Sequence, residues 1–290
     1  MMKKLYVSFT SFIVLSVILF TAFTFTPSAK AVNVITDNHS MSTAAYLGYW
    51  KYNPYSDTTK LEAGENVAYY KFTAQKDEKL YVQSTYRDNY EGMIIEVLDE
   101  SGHQLDKNTG VTKGDYSSFI FANADATKTS QTFYVRVTRG SYSGDMYFTL
   151  SFNNRIKSGS KTFTFSGTAS NTGNRNYYNR SGQDSSVLTL DLRNEQNVPH
   201  EATVKRVTTS SSQFPNQGNT VHLLMTNQDS VWHKALANSA TSGIFDISLD
   251  NQYLVANKWN FKYNTLASAS STMSRVSIKF DYEYDVTKQF

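Results

Sequence analysis

The chain has 290 residues, 28 Lys and Arg against 25 Asp and Glu, and no cysteine. Lys3, Lys4 and Lys30 lie in an apolar leader, so the remainder is balanced in charge. It lacks the cationic excess that nucleic-acid phosphates or anionic lipid surfaces select for. Without cysteine there are no disulfides, thiol catalysis or cysteine-held metals, and a core of ordinary size must hold the fold.

Residues 1–31 read as an export signal. Lys3-Lys4 give a positive start, Leu5 to Phe25 is an almost unbroken apolar run, and Ala29-Lys30-Ala31 offers small residues to a signal peptidase. A retained anchor is the alternative, since about 20 apolar residues span a bilayer. Pro27 and the small residues after it favour cleavage. In both cases the rest of the chain faces the outside, and membrane contact is expected only through an uncleaved signal.

Tyr46, Tyr49, Trp50, Tyr52 and Tyr55 crowd into AYLGYWKYNPY, a loop-like stretch with Gly48 and Pro54. Tyr86 and Tyr90 flank Arg87 and Asp88 in another expected loop, and Tyr177-Tyr178 occupy a third. Exposed Tyr and Trp supply rigid, amphipathic contact area at low entropic cost, which suits sugar rings or extended peptides. Packing of Trp50 and two tyrosines at the end of a sandwich is the competing expectation.

Period-two alternation dominates from there on. Six strands are predicted first, at Val67–Phe72, Lys79–Ser84, Met93–Leu98, Ser117–Ala122, Gln131–Thr138 and Asp145–Phe152. About seven more follow, near 161–166, 186–193, 202–208, 220–226, 243–249, 258–263 and 274–285. In the last, Val276, Ile278, Phe280, Tyr282 and Tyr284 alternate with Ser277, Lys279, Asp281 and Glu283. Alternation of this kind marks half-buried antiparallel strands, and turn signals such as Ser101-Gly102 and Arg139-Gly140 separate them at sandwich spacing. Val231–Ala240 is the one candidate for a short helix. Thr168–Ser186 and Thr208–Asn219 lack periodicity and read as loops. A polar boundary at Asn153–Ser160 divides the chain into residues 32–155 and 156–290, giving an all-β protein of two antiparallel, jelly-roll-like β-sandwich domains after the signal.

Leu61 to Phe72 (LEAGENVAYYKF), Lys79-Leu80-Tyr81-Val82, Ile94 to Gly102 (IIEVLDESG), Phe133 to Val137 (FYVRV) and Ser143 to Leu150 (SGDMYFTL) occur in that order. Together they resemble the bacterial pre-peptidase C-terminal domain over residues 36–152. The resemblance implies a compact sandwich that accompanies secreted enzymes, with members that bind extracellular protein such as collagen and members that bind calcium. For calcium, Asp37 and Asn38 match the first element and Glu65 stands within the second, but Ala68 occupies a place where the family often has Asp. A calcium ion needs six to eight oxygens. The alternative is that Asp37 and Asn38 simply begin a turn.

Residues 160–290 resemble no family. They lack His-Glu-x-x-His and Gly-x-Ser-x-Gly. His200, His222 and His233 are their only histidines. Val221, Leu223 and Met225 are assigned the inward face of their strand, which points His222 to solvent. A triad of His222, Asp229 and Ser230 would need an unpredictable fold, and Asp281, Glu283 and Asp285 read as one solvated strand face. Trp232 and Trp259 read as core.

Three readings follow. The first is a non-catalytic secreted protein that binds an extracellular or cell-wall polymer, polysaccharide or fibrous protein, through Tyr46, Tyr49, Trp50, Tyr52, Tyr55, Tyr86 and Tyr90. The second is a hydrolase with its catalytic groups in a deep cleft of residues 160–290. The third is a pore former that uses the Ser/Thr-rich segments 162–173 and 201–214, against which Lys205-Arg206 breaks the alternation.

Overall fold

The computed structural model describes residues 33–176, 178–245 and 253–290. The leader, Tyr177 and the end of the strand expected at 243–249 lie outside the described residues. Regular structure among the described residues is β-strand, apart from short 3-10 turns at Met41–Thr43 and Val286–Gln289. The fold is all-β, with mostly antiparallel sheets enclosing two hydrophobic cores.

In the first half, one sheet runs in the order Ala45–Tyr49, Val67–Ala74, Gln131–Thr138, Ile94–Leu98 and Gln104–Asn108. A second runs Leu150–Asn154, Lys79–Thr85, Ser118–Asp125 and Thr112–Lys113. Alternation decides which side chains meet. Ala68, Tyr70, Phe72 and Ala74 are buried while Val67, Tyr69, Lys71 and Thr73 are not. Phe72 stacks on Phe133 of the neighbouring strand at 5.3 Å and meets Phe152 of the other sheet at 4.8 Å. Such ring contacts add stabilisation beyond the area they bury. The expected strand Asp145–Phe152 splits in two, since Met146–Phe148 leaves to pair with Thr58–Leu61 in a small third sheet.

The second half has one sheet ordered Ile156–Thr164, Ser271–Asp285, Thr203–Phe214, Ser242–Phe245 and Ala237–Asn238. The other is ordered Gln183–Asp184, Lys258–Thr265, Thr220–Thr226 and His233–Lys234. Trp259 and Phe280 meet across the core at 4.8 Å. The break of alternation at Lys205-Arg206 coincides with a register shift between Val204 and Arg206. One extra residue there swaps the faces and keeps both flanks in phase.

Several expectations are corrected. Residues 208–214 are strand, because their hydroxyl-bearing side chains sit beside Ser271–Asp285 in a regular ladder. Val231–Ala240 forms short strands and turns, with no helix. Trp232 is half-buried, with the Lys262 ammonium 4.4 Å from its ring centre. His222 is fully buried, since Thr220, His222, Leu224 and Thr226 form the inward face. Reading Val221, Leu223 and Met225 as the core set was a slip of one residue, and with period two that inverts every side chain. Only Arg155 separates Leu150–Asn154 from Ile156–Thr164, and its guanidinium meets Asp125 at 2.9 Å and Asp285 at 3.2 Å.

Candidate functional site

The edge strand Ala45–Tyr49 and the loop after it build the most distinctive surface. Tyr46, Tyr52 and Tyr55 are 66%, 83% and 73% exposed. Tyr46 and Tyr55 stand on a shallow depression of about 440 Å³ that Leu47, Gly48, Asn53, Ser56 and Asp57 complete. Tyr52 lies edge-on to Tyr49 at 5.1 Å. Gly48 has φ +77°, and a Cβ there would sit 3.0 Å from the Asn53 amide nitrogen. Glycine therefore permits both the irregularity of the strand at this point and the close approach of Asn53.

One carboxylate fixes the loop. Glu78 accepts from Tyr49 Oη at 2.6 Å, Trp50 Nε1 at 2.7 Å and the Gln75 backbone N–H at 2.8 Å, and pairs with Lys51 Nζ at 2.6 Å. Partial burial opposes its ionisation, but the Lys51, Tyr49, Gln75 and Trp50 donors outweigh it and hold the carboxyl at about 2. The opposite wall is tied to the strand Leu150–Asn154. Phe152 N–H donates to Pro54 O and Ser56 N–H to Leu150 O, both at 2.9 Å, and Leu150 N–H donates to Ser56 Oγ at 2.9 Å. Both rims are thus set before any ligand arrives.

The predicted aromatic set divides. Trp50 is only 6% exposed and belongs to the core, because its indole N–H must reach Glu78. Tyr90 is 1% exposed, its hydroxyl exchanging hydrogen bonds with the backbone of Tyr147, and Tyr86 packs half-buried against the same core. Tyr49 is half-buried and orients the loop. Tyr46, Tyr52 and Tyr55 remain as the exposed faces. Glu78, Asn53 and Asp57 went unnoticed in the sequence. Lys76-Asp77-Glu78-Lys79 looks like an ordinary charged turn, and no local pattern announces a reach of 28 residues to Trp50.

The calcium residues stand apart from this face. Asp37 is exposed at φ +61° and accepts from Thr36 Oγ1. Asn38 is buried, with Nδ2 donating to Tyr69 O and Oδ1 without a partner among the described residues. Glu65 accepts from the Glu62 N–H and pairs with His39 at 2.9 Å. Among the described residues no three His, Cys, Asp or Glu side chains converge as a metal-holding group.

The residues weighed for hydrolysis are dispersed. His222 Nδ1 lies 2.8 Å from Thr209 Oγ1 in the second core. Asp229 instead meets His233 Nε2 at 2.6 Å and the Tyr253 hydroxyl at 2.5 Å, while its other oxygen takes the Val231 N–H. Partial burial opposes ionisation of Asp229, but Tyr253, the Val231 N–H and His233 together lower its pKa. Asp281 pairs with Lys279, Glu283 with Lys205 and Asp285 with Arg155. A larger cleft of about 870 Å³ is lined by these last two pairs, by Lys51–Glu78 and by Lys288–Glu201. Among the described residues no histidine lines it, and its charges largely neutralise one another in pairs.

No family model matches the chain. It is 53% identical to the uncharacterized protein YbdN of Bacillus subtilis (strain 168) over 291 residues, covering 100% of both chains. It belongs to the YbdN family. Three solved structures share a β-rich build. A protein of Eubacterium rectale assigned as secreted is 10% identical, covering 87% of this chain and 84% of its own, with TM-score 0.36. The pre-peptidase C-terminal domain of collagenase from Bacillus anthracis is 20% identical over 38% of this chain and 94% of its own, with TM-score 0.29. The CBM22-1–CBM22-2 tandem of Paenibacillus barcinonensis Xyn10C is 8% identical over 76% and 84%, with TM-score 0.28. Scores this low carry no functional inference. Among the described residues, no helix is long and apolar enough to cross a membrane.

Proposed function

We propose that this is an exported, non-catalytic protein that binds an extracellular or cell-wall polymer through the face of Tyr46, Tyr52 and Tyr55. The single observation behind this reading is three tyrosine rings, each about two-thirds exposed or more, on an edge strand and the loop after it, which Glu78 anchors on one side and the strand Leu150–Asn154 on the other. A folded chain hides large rings where it can, and rings kept in water on a fixed frame are contact area in waiting. Export rests on the leader peptide. A pre-peptidase C-terminal type of sandwich for residues 36–152 rests on the ordered strand segments, and a balanced surface charge argues for a partner other than nucleic acid.

Sedimentation of the full chain with isolated cell wall, insoluble polysaccharide and collagen fibres tests the reading. The triple change Tyr46→Ala, Tyr52→Ala and Tyr55→Ala is expected to weaken co-sedimentation about tenfold or more, while circular dichroism and thermal unfolding stay as in the parent. Unaltered co-sedimentation of that folded variant refutes the assigned face.

A further inference from the structure

The depression between Tyr46 and Tyr55 has a chemical character finer than aromatic contact. Among the described residues, Asp57 is its one charged lining residue. That carboxylate is exposed and has no ion pair or side-chain hydrogen bond among the described residues, and the Asn53 carboxamide beside it has no side-chain hydrogen bond either. Ser56, by contrast, is already engaged, its hydroxyl donating to Asp57 O and accepting from Leu150 N. The hollow therefore offers two exposed tyrosine side chains, an amide without a side-chain hydrogen bond and, among the described residues, one unpaired carboxylate. Ring faces attract cations through their quadrupole, and a carboxylate within the same hollow adds a charge-assisted hydrogen bond.

We propose that this hollow receives the protonated amine of an amino sugar, so that the polymer is a glucosamine-type polysaccharide with free amines. The proposal rests on the polymer-binding reading of the same face and specifies its ligand. Pyranose rings lay their C–H faces on Tyr46 and Tyr55, the ammonium meets Asp57, and Asn53 serves a hydroxyl in both donor and acceptor roles. A phosphate- or carboxylate-bearing polymer would set like charge against Asp57 with no cation in the hollow to offset it. An extended peptide fits less well. Ala45–Tyr49 is an edge strand, but its ladder carries a register shift between Tyr46 and Gly48. That irregularity interrupts the even row of N–H and C=O groups on which an added strand depends.

Isothermal titration of the full chain at about pH 6 compares glucosamine oligomers, their N-acetylated counterparts, cello-oligosaccharides and a lysine-rich peptide. The expected result is about tenfold tighter binding of the glucosamine oligomer than of its acetylated form, weakened by added salt. Asp57→Asn is expected to erase that preference, and Tyr46→Ala to weaken both sugars. Asp57 is exposed and unpaired, so its variant should remain folded, which circular dichroism checks. Equal affinity for all three sugars, or a preference that survives Asp57→Asn, overturns the amine assignment and leaves polymer binding standing. Binding of the peptide alone overturns the sugar class. Failure with every probe here, together with failure to sediment with any polymer, removes both readings.

Discussion

His222 gives the second core a built-in acid sensitivity. Its ring is edge-on to Phe261 at 5.2 Å, Nδ1 is shared with Thr209 Oγ1, and Nε2 is buried with no hydrogen-bond partner among the described residues. An imidazolium would place a second N–H and a positive charge where neither finds an acceptor. Burial accordingly lowers the pKa from an ordinary 6.5 to about 4. The unfolded chain binds a proton near pH 6.5 and the folded chain resists it down to about 4. Stability from this site is complete above the unfolded value and is lost progressively as pH falls from 6.5 to 4. Between pH 8 and about pH 4.5 the loss is about 2.5 kcal/mol, a fall of about 5–10 °C in Tm for a chain of this size. Urea unfolding across that range measures it. His222→Leu leaves Thr209 without its partner and costs a constant offset, yet its pH profile should be flatter than the parent's by about that amount. Superimposable pH slopes for the two proteins would refute the argument.

Glu78→Ala strips four donors of one acceptor. It should cost about 2–3 kcal/mol, and quenching of tryptophan fluorescence by acrylamide should rise as the ring at Trp50 loosens. Because the folded Glu78 carboxyl sits at about 2 against an ordinary 4.5, its contribution is present above pH 4.5 and fades as pH drops toward 2, a range that overlaps the His222 window only at its acid end. Gly159→Ala places a Cβ 2.6 Å from the Tyr282 ring. Displacing that ring from the sheet should cost about 1–3 kcal/mol in denaturant unfolding, whereas Gly218→Ala, where the new atom meets nothing within 4 Å, should stay near neutral.

Strand text was legible wherever one face is greasy and the other wet. Val67–Ala74, Gln131–Thr138 and Ser271–Asp285 could be read because Phe72, Val135 and Ile278 recur at period two, and burial enforces that period. Only the first half of Thr203–Phe214 is legible as strand in the sequence. Its second half is rich in Ser and Thr, and the ladder that holds it comes from a partner about sixty residues away. His222 was assigned to the wrong face for a related reason. Both faces of Thr220–Thr226 carry apolar groups, so local pattern leaves the parity open, and only packing on Phe261 settles it.

Composition and periodicity alone thus determined an all-β chain with charge balanced after its leader, no thiol chemistry and an unusual supply of tyrosine. Which tyrosines face water was a tertiary decision. Trp50, Tyr90 and Tyr46 sit in equally aromatic text, and the two buried rings are those whose polar ends a distant carboxylate or backbone captures. Glu78 captures Tyr49 and Trp50, and Tyr147 captures Tyr90. Among the described residues no side chain or backbone group captures the hydroxyl of Tyr46 or Tyr55, and the hollow they line with Asp57 is shaped by the strand Leu150–Asn154, which draws residues 54–56 against it.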